Sequence, residues 1–162
     1  MTAARPPGKA WTRFGLAIVA ILMLPASAPG QTTERVMADW RTGVALSGFD
    51  PVAYFTDAAP KIGRPEYEYS FAGVTWRFRN EGNRAAFKGH PDIYMPRFGG
   101  HDPVAVGRGV ARPGHPEVWL IAGQRLYLFY TPEARDAFQA DPEQGQDAAE
   151  EKWPEVMRTL AR

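Results

Sequence analysis

Large apolar residues alternate with polar ones in several short segments of this chain, and the segments come in pairs. Residues 67–71 and 74–78 show the alternation that is typical of half-buried β-strands, and Ala72-Gly73 between them suits a tight turn. Asn80 follows as a favoured helix-capping residue, and residues 85–87 would form the apolar face of that helix. The pattern predicts a β-hairpin followed by a helix, which we call a ββα unit.

A second ββα pattern begins at residue 118. Residues 118–121 and 126–130 alternate in the same way, and Ala122-Gly123 is the expected turn between them. Thr131-Pro132 then opens a helix, because a capping residue is followed by proline in the first turn. The chain is therefore predicted to form the same arrangement of elements twice.

The two patterns can be matched residue by residue. Phe138 corresponds to Phe87 at an offset of 51, whereas Ala122-Gly123 corresponds to Ala72-Gly73 at an offset of 50. The difference predicts one inserted residue where the second hairpin joins its helix. Matches in the same structural order indicate an internal duplication, or two copies of one stable arrangement.

We predict an α+β fold in which two ββα units, at about residues 66–92 and 117–143, form a small single domain with a C-terminal helix. The segment between the units, residues 93–116, is rich in Gly and Pro and fits no regular period. It is expected to be a long irregular connection of the kind that tends to carry function. Pro154 is expected to kink or restart the terminal helix. The apolar residues of that helix lie at helical spacing: Ala149, Trp153, Met157 and Leu160.

The first thirty residues have a pattern of their own. Three basic residues precede an apolar run at residues 14–24, and small residues follow it, which is the order of a secretory signal. The run is shorter than the roughly 20 apolar residues of a membrane span. We expect residues 1–30 to be a signal peptide cleaved after Gly30, followed by a lead-in at 31–43 and the domain at 44–162. The protein is then periplasmic or secreted; the alternative is an uncleaved N-terminal anchor.

Composition narrows the classes of function. Removal of the signal peptide removes three of the 19 basic residues. The mature chain then has 16 basic and 18 acidic residues, and its net charge is −2. The mature chain has no basic stripe for nucleic acid, so no nucleic-acid partner is expected. The chain has no cysteine, which excludes disulfides, thiolate metal sites and cysteine nucleophiles. Because no nucleophile–base pair or phosphate-binding loop is visible, the chain is interpreted as not an enzyme.

Two segments resemble a known family. Residues 44–55, with the sequence VALSGFDPVAYF, resemble the opening of exported bacterial YHS-domain proteins. Residues 69–94 are similar to the core of the YHS domain, and Phe98-Gly99-Gly100 resembles the glycine pair that follows it in the exported subgroup. The resemblance extends over about residues 44–153, and it implies an α+β fold and an exported protein.

Members of the wider YHS family occur beside heavy-metal transporters and are thought to bind metal through cysteines. At the positions that match those cysteines this chain has Ala53, Arg79 and Asn83, and His101-Asp102 follows the glycine pair. The chain is thus a cysteine-free variant. The resemblance implies fold and compartment, but it does not imply the metal function of the family.

His90, His101 and Asp102 are the remaining candidate metal ligands. Imidazole and carboxylate groups suit a divalent metal such as Cu or Zn. The alternative is structural: His90 would end a helix, where a partly charged imidazole favours the helix dipole, and His101-Asp102-Pro103 would form a turn in which Asp102 bonds to its own backbone. Asp50 is likewise expected to cap the turn that Pro51 begins.

Two hypotheses of function follow from these observations. The first is an exported YHS-like binding module, accessory to metal or envelope homeostasis, whose partner is a metal ion or an envelope protein. The alternative is a metal-independent protein- or ligand-binding domain that uses an aromatic surface and residues 93–116. No cofactor is certain, Cu or Zn being the candidates, and no membrane span is expected after signal cleavage.

Overall fold

The structure is a computed structural model that describes residue 1 and residues 35–160. The predicted signal peptide and its cleavage site lie outside the described residues, apart from Met1. The described part is a mixed α+β fold with two small antiparallel hairpins and a C-terminal helix, as the sequence pattern predicts.

The described elements follow the chain in a repeated order. Two short 3-10 turns, at Leu46–Gly48 and Arg97–Gly100, precede the first and the fourth helix. The helices and strands are α1 (Ala53–Thr56), β1 (Arg64–Phe71), β2 (Val74–Phe78), α2 (Glu81–Gly89), α3 (Pro91–Tyr94), α4 (Pro103–Val106), β3 (His115–Ala122), β4 (Arg125–Phe129), α5 (Pro132–Ala140) and α6 (Pro142–Leu160).

The first ββα unit has the predicted turn and caps. β1 and β2 pair antiparallel around Ala72-Gly73, whose φ angles of 53° and 81° are those of a tight hairpin turn. The backbone amide of Asn83 donates to the side chain of Asn80 over 2.8 Å, so Asn80 caps α2. The helix ends at Gly89, just before His90-Pro91, because a residue that precedes proline avoids the helical conformation.

The turn of the second hairpin lies one residue later than predicted. Ala122 pairs with Arg125, so the turn residues are Gly123-Gln124, with φ angles of 54° and 59°. The two hairpins and their helices therefore match at a constant offset of 51, and the predicted insertion between hairpin and helix is wrong. The shared Ala-Gly dipeptide misled the alignment, because Gln124 adopts the positive φ that glycine was expected to supply.

The segment between the units is a second copy of the segment that leads into the first unit. Residues 48–53 read GFDPVA and residues 100–105 read GHDPVA, at an offset of 52. Each copy leaves a 3-10 turn with positive φ angles and enters a single helical turn, α1 or α4. Residues 93–116 hold only single helical turns before β3, so the connection is irregular as predicted, but part of it belongs to the repeat, which the prediction did not include.

A glycine at the start of each hairpin fixes the same close approach. A Cβ atom on Gly63 would lie 2.5 Å from the carbonyl carbon of Arg77, and one on Gly114 would lie 2.6 Å from Cβ of Leu128. The amide of Gly63 donates to the carbonyl of Gly48 over 2.8 Å, and Gly114 makes the equivalent bond over 3.0 Å to the glycine of the second repeat. The two repeats thus share their tertiary contacts as well as their order of elements.

Each unit builds a core between its hairpin and its helix. Phe87 of α2 is fully buried against Trp76 and Phe78, with ring centroids 4.9 and 5.2 Å away, and Phe138 of α5 packs on Phe129 at 5.4 Å in the second unit. Leu126 and Leu128 of β4 belong to the first core, while Tyr127 and Phe129 belong to the second. Because alternate residues of one strand face the two cores, the units form one domain.

The C-terminal helix α6 covers the second core. Ala149 and Val156 are buried, and Trp153 packs edge-on against Phe98 at 5.6 Å. The helix runs through Pro154 from Pro142 to Leu160 rather than restarting there. None of the helices in the described residues is long and apolar enough to cross a membrane.

Candidate functional site

Asp50 is fully buried, and hydrogen bonds satisfy its carboxylate. The amide of Val52 donates to Oδ1 over 2.8 Å, while Oδ2 accepts from the amide of Arg79 over 2.8 Å and from Nδ2 of Asn83 over 2.6 Å. Three donors offset the cost of burying the charge. The bond from Val52 confirms the expected cap of the turn at Pro51. The other two bonds tie the turn at Asp50-Pro51 to the end of β2 and to α2.

Asp102 holds the equivalent position in the second repeat and is 2% exposed. Oδ1 accepts from the amides of Val104 and Ala105 over 2.8 and 3.4 Å, which makes Asp102 the N-cap of α4. Oδ2 accepts from the amide of Tyr130 over 2.9 Å, the first residue after β4. The turn expected at His101-Asp102-Pro103, with Asp102 bonded to its own backbone, is confirmed.

The two aspartates differ in one donor. Position 134 corresponds to Asn83 at the offset of 51 and is alanine, which has no side-chain donor. Oδ2 of Asp102 therefore accepts one hydrogen bond, from Tyr130, among the residues that the structure describes, whereas Oδ2 of Asp50 accepts two. The second repeat leaves one acceptor position of a buried carboxylate for another donor.

A cleft of about 380 Å³ opens at this position, between α4 and α5. Sites for small organic molecules commonly have volumes of about 300–1,000 Å³. The cleft is lined by a hydrogen-bond acceptor, by apolar side chains and by cationic side chains. Its lining includes Asp102, Ala134, Ala137, Arg108, Arg112 and Tyr130.

Two arginines and two carboxylates line the cleft, but they are not joined in ion pairs. Arg108 and Arg112 form no ion pair with any described residue, and the guanidinium carbon of Arg112 lies 4.6 Å from the centroid of the half-exposed Tyr130 ring. Hydrogen bonds from its own backbone amide and from the Thr131 hydroxyl lower the pKa of Glu133, the acidic residue at the start of α5. Two arginines without an ion-pair partner among the described residues thus stand beside two carboxylates, Asp102 and Glu133.

His101 is buried at the position that Phe49 occupies in the first repeat. Its Nδ1 lies 2.9 Å from the carbonyl oxygen of Phe98, so the tautomer with hydrogen on Nδ1 donates to that carbonyl. Burial lowers the pKa of His101, and the bond to Phe98 opposes the shift in part. The ring lies 5.7 Å from Trp153 and borders a second cleft, of about 490 Å³, together with Met37.

The predicted metal ligands are not gathered into a metal centre. His90 is exposed at the end of α2, and the carboxylate of Asp102 faces backbone amides. Residue 1 and residues 35–160 contain no group of three or more His, Asp or Glu side chains that could hold a metal ion. The geometry gives the set of His90, His101 and Asp102 no support, and this metal site stays a prediction.

Reasoning from the sequence did not single out Arg108, Arg112 or Ala134. The signal for them was present in the repeated tetrapeptide DPVA, which relates Asp50 to Asp102 at an offset of 52. With the aspartates matched at the offset of 52 and the helices matched at the offset of 51, Ala134 stands at the place of Asn83 beside a buried carboxylate.

No family model, no curated protein and no solved structure matches this chain. The resemblance to YHS-domain proteins therefore rests on the residues quoted for it. A function for this chain has to be inferred from the geometry of its own described residues.

Proposed function

We propose that this chain is an exported, YHS-like binding module whose first repeat is structural and whose second repeat binds a small molecule. The observation that carries the proposal is the open position beside Asp102. In the first repeat Asn83 fills that position and donates to Asp50. In the second repeat Ala134 leaves a cleft instead.

The proposal has a physical basis in the buried carboxylate. An acceptor that is removed from water costs free energy unless a donor reaches it, and a ligand or a bound water molecule can supply that donor. Backbone amides at Val104 and Tyr130 already hold the carboxylate of Asp102 in place. A ligand would therefore meet an acceptor that needs no reorganisation, which favours affinity and a defined orientation.

A fragment library screened by ligand-observed NMR tests this proposal. The wild-type protein is compared with Ala134→Asn, which copies the first repeat and fills the cleft. We expect fragments that bind the wild type to lose at least about tenfold in affinity in the variant, because the new amide occupies the acceptor of Asp102.

The control is Ala140→Asn, the same chemical change at an exposed position of α5 outside the cleft lining. This variant should bind as the wild type does, and a thermal melt of each variant confirms that it is folded. Fragments that bind the wild type and Ala134→Asn equally well, or a screen without any bound fragment, would contradict the proposal.

A second candidate function is metal binding through His101. Because Nδ1 donates to Phe98, Nε2 is the ring nitrogen left to serve as a ligand, and the thioether of Met37 borders the same cleft. Calorimetric titration with Cu(II) and Zn(II) tests this candidate. Near-stoichiometric binding that His101→Ala abolishes would support it, and no binding above a nonspecific background would remove it.

A further inference from the structure

We infer that the cleft beside Asp102 selects a small carboxylate that also carries a hydroxyl or amino group. This inference rests on the proposed function and names the ligand class of the same site. Its basis is the placement of one acceptor and two unpaired cations around a volume of about 380 Å³.

The acceptor defines one part of the ligand. Asp102 is 2% exposed, and its Oδ2 has one donor where Oδ2 of Asp50 has two. In the first repeat an amide N–H fills the second place over 2.6 Å. A ligand that takes this place must present an O–H or N–H donor, because an acceptor there would face a buried negative charge.

The arginines define the other part. Guanidinium groups bind carboxylates through two parallel hydrogen bonds, and Arg108 and Arg112 have no acidic partner among the described residues. Stacking on Tyr130 orients the guanidinium of Arg112. Glu133 also lines the cleft, and its carboxylate offsets part of the positive charge of the two arginines.

The first repeat holds an acid in the same region, and this acid pairs with an arginine. Arg79, the counterpart of Tyr130, forms an ion pair with Asp57 there. At the offset of 52 the counterpart of Asp57 is Gly109, which has no side chain to pair with a cation. The second repeat lacks this acid, and Arg108 stands where the first repeat has Thr56. Arg108 is therefore left beside the cleft without an acidic partner among the described residues and can bind a carboxylate of the ligand.

Calorimetric titrations of the purified full chain with three compounds test the inference. L-malate and L-aspartate carry two carboxylates and a hydroxyl or amino donor, whereas succinate carries the same carboxylates without the donor. We expect L-malate or L-aspartate to bind at least about tenfold more tightly than succinate, which is the difference that one hydrogen bond to a buried charge makes.

Variants separate the two parts of the site. Arg108→Gln and Arg112→Gln should each weaken the binding of the preferred compound at least about fivefold, and Ala134→Asn should weaken it more. Arg158→Gln, at an exposed arginine on α6 away from the cleft, is the matched control and should change nothing.

The outcomes distinguish this inference from the proposed function. If fragments occupy the cleft but neither L-malate nor L-aspartate binds more tightly than succinate, the ligand class is wrong and the binding module stands. Unchanged affinity in both arginine variants would likewise overturn the ligand class alone. If no compound or fragment is sensitive to Ala134→Asn, the proposed function fails as well.

Discussion

Asp50 and Asp102 each accept three hydrogen bonds and tie their own turn to a distant part of the chain without an opposing charge. The amide of Arg79, rather than its guanidinium, donates to Asp50, and the guanidinium pairs with Asp57 nearer the surface. A carboxylate held in this way is hard to replace by another side chain. Its removal leaves several buried donors without an acceptor, each at a cost of about 1–3 kcal/mol. The equivalent bond from Tyr130 to Asp102 shows that both repeats depend on the same device.

The sequence predicted only the hydrogen bonds that each aspartate accepts from its own turn. An Asp before Pro is a common cap, so the bonds from Val52 and Val104 follow from the sequence. The donors at Arg79 and Tyr130 lie 29 and 28 residues further along the chain. No local sequence pattern specifies a contact between residues so far apart, so the hydrogen bonds from Arg79 and Tyr130 could be found only in the structure.

His101 should make the stability of the protein depend on pH. Burial lowers its pKa below the ordinary value of 6.5, so the unfolded chain binds a proton at a higher pH than the folded protein does. The free energy of unfolding should therefore fall as the pH drops below about 6.5, by up to about 1.4 kcal/mol per pH unit, until the folded-state pKa is passed.

His101→Phe copies Phe49 of the first repeat and removes the titrating group. We expect this variant to lose that part of the pH dependence, as measured by urea unfolding between pH 5 and 8. His115→Phe, at an exposed position, is the control and should keep the wild-type profile. A His101→Phe profile that falls below pH 6.5 as steeply as the wild type would contradict this account.

Among the strands, β2 matches the prediction best, whereas β4 lies one residue earlier than predicted, at Arg125–Phe129. β2 runs over the predicted residues, Val74–Phe78. β1 and β3 each begin three residues earlier than the alternation predicts, at Arg64 and His115. Both strands have an irregularity in register directly after their first residue, and such a bulge interrupts the period of two on which the prediction depends.

The glycines before β1 and β3 should be equally intolerant of a side chain. A Cβ atom on Gly63 or Gly114 would lie 2.5–2.6 Å from atoms of Arg77 or Leu128 in the second strand of the same hairpin. We expect Gly63→Ala and Gly114→Ala each to lower the free energy of unfolding by about 2–3 kcal/mol in urea denaturation.

Gly89→Ala is the control for both substitutions, because no atom lies within 4 Å of a Cβ built there. Alanine also suits the end of α2 better than glycine, so this variant should be unchanged or more stable by less than about 1 kcal/mol. A strong effect of only one of the two hairpin substitutions would show that the repeats do not share this contact.

Over the whole molecule, the two repeats share a fold, and the difference that opens the cleft is Asn83 in the first repeat against Ala134 in the second. β4 contributes alternate residues to both cores, so neither repeat is packed independently of the other. The α+β class and both ββα units could be predicted from alternation and caps, because those signals are local. The cleft could not, since it depends on the spatial match of Asp50 with Asp102 and of Asn83 with Ala134, in segments that repeat at different offsets, 52 and 51.

The N-terminal pattern makes a prediction about the mature chain. If the leader is a cleaved signal peptide, protein isolated from the periplasm or the medium of an expressing bacterium should begin at Gln31. Mass spectrometry of the intact protein measures this directly. A chain that still begins at Met1 and fractionates with membranes would favour the uncleaved anchor.

Amide spectra offer the most direct test of the cleft. In ¹H–¹⁵N correlation spectra, the amides of Val104 and Tyr130 report on Asp102, because both donate to its carboxylate. We predict that the tightest-binding compound shifts these two amides in the wild type and leaves them unshifted in Ala134→Asn. Shifts that cluster at Val52 and Arg79 around Asp50, or that persist in Ala134→Asn, would contradict the account.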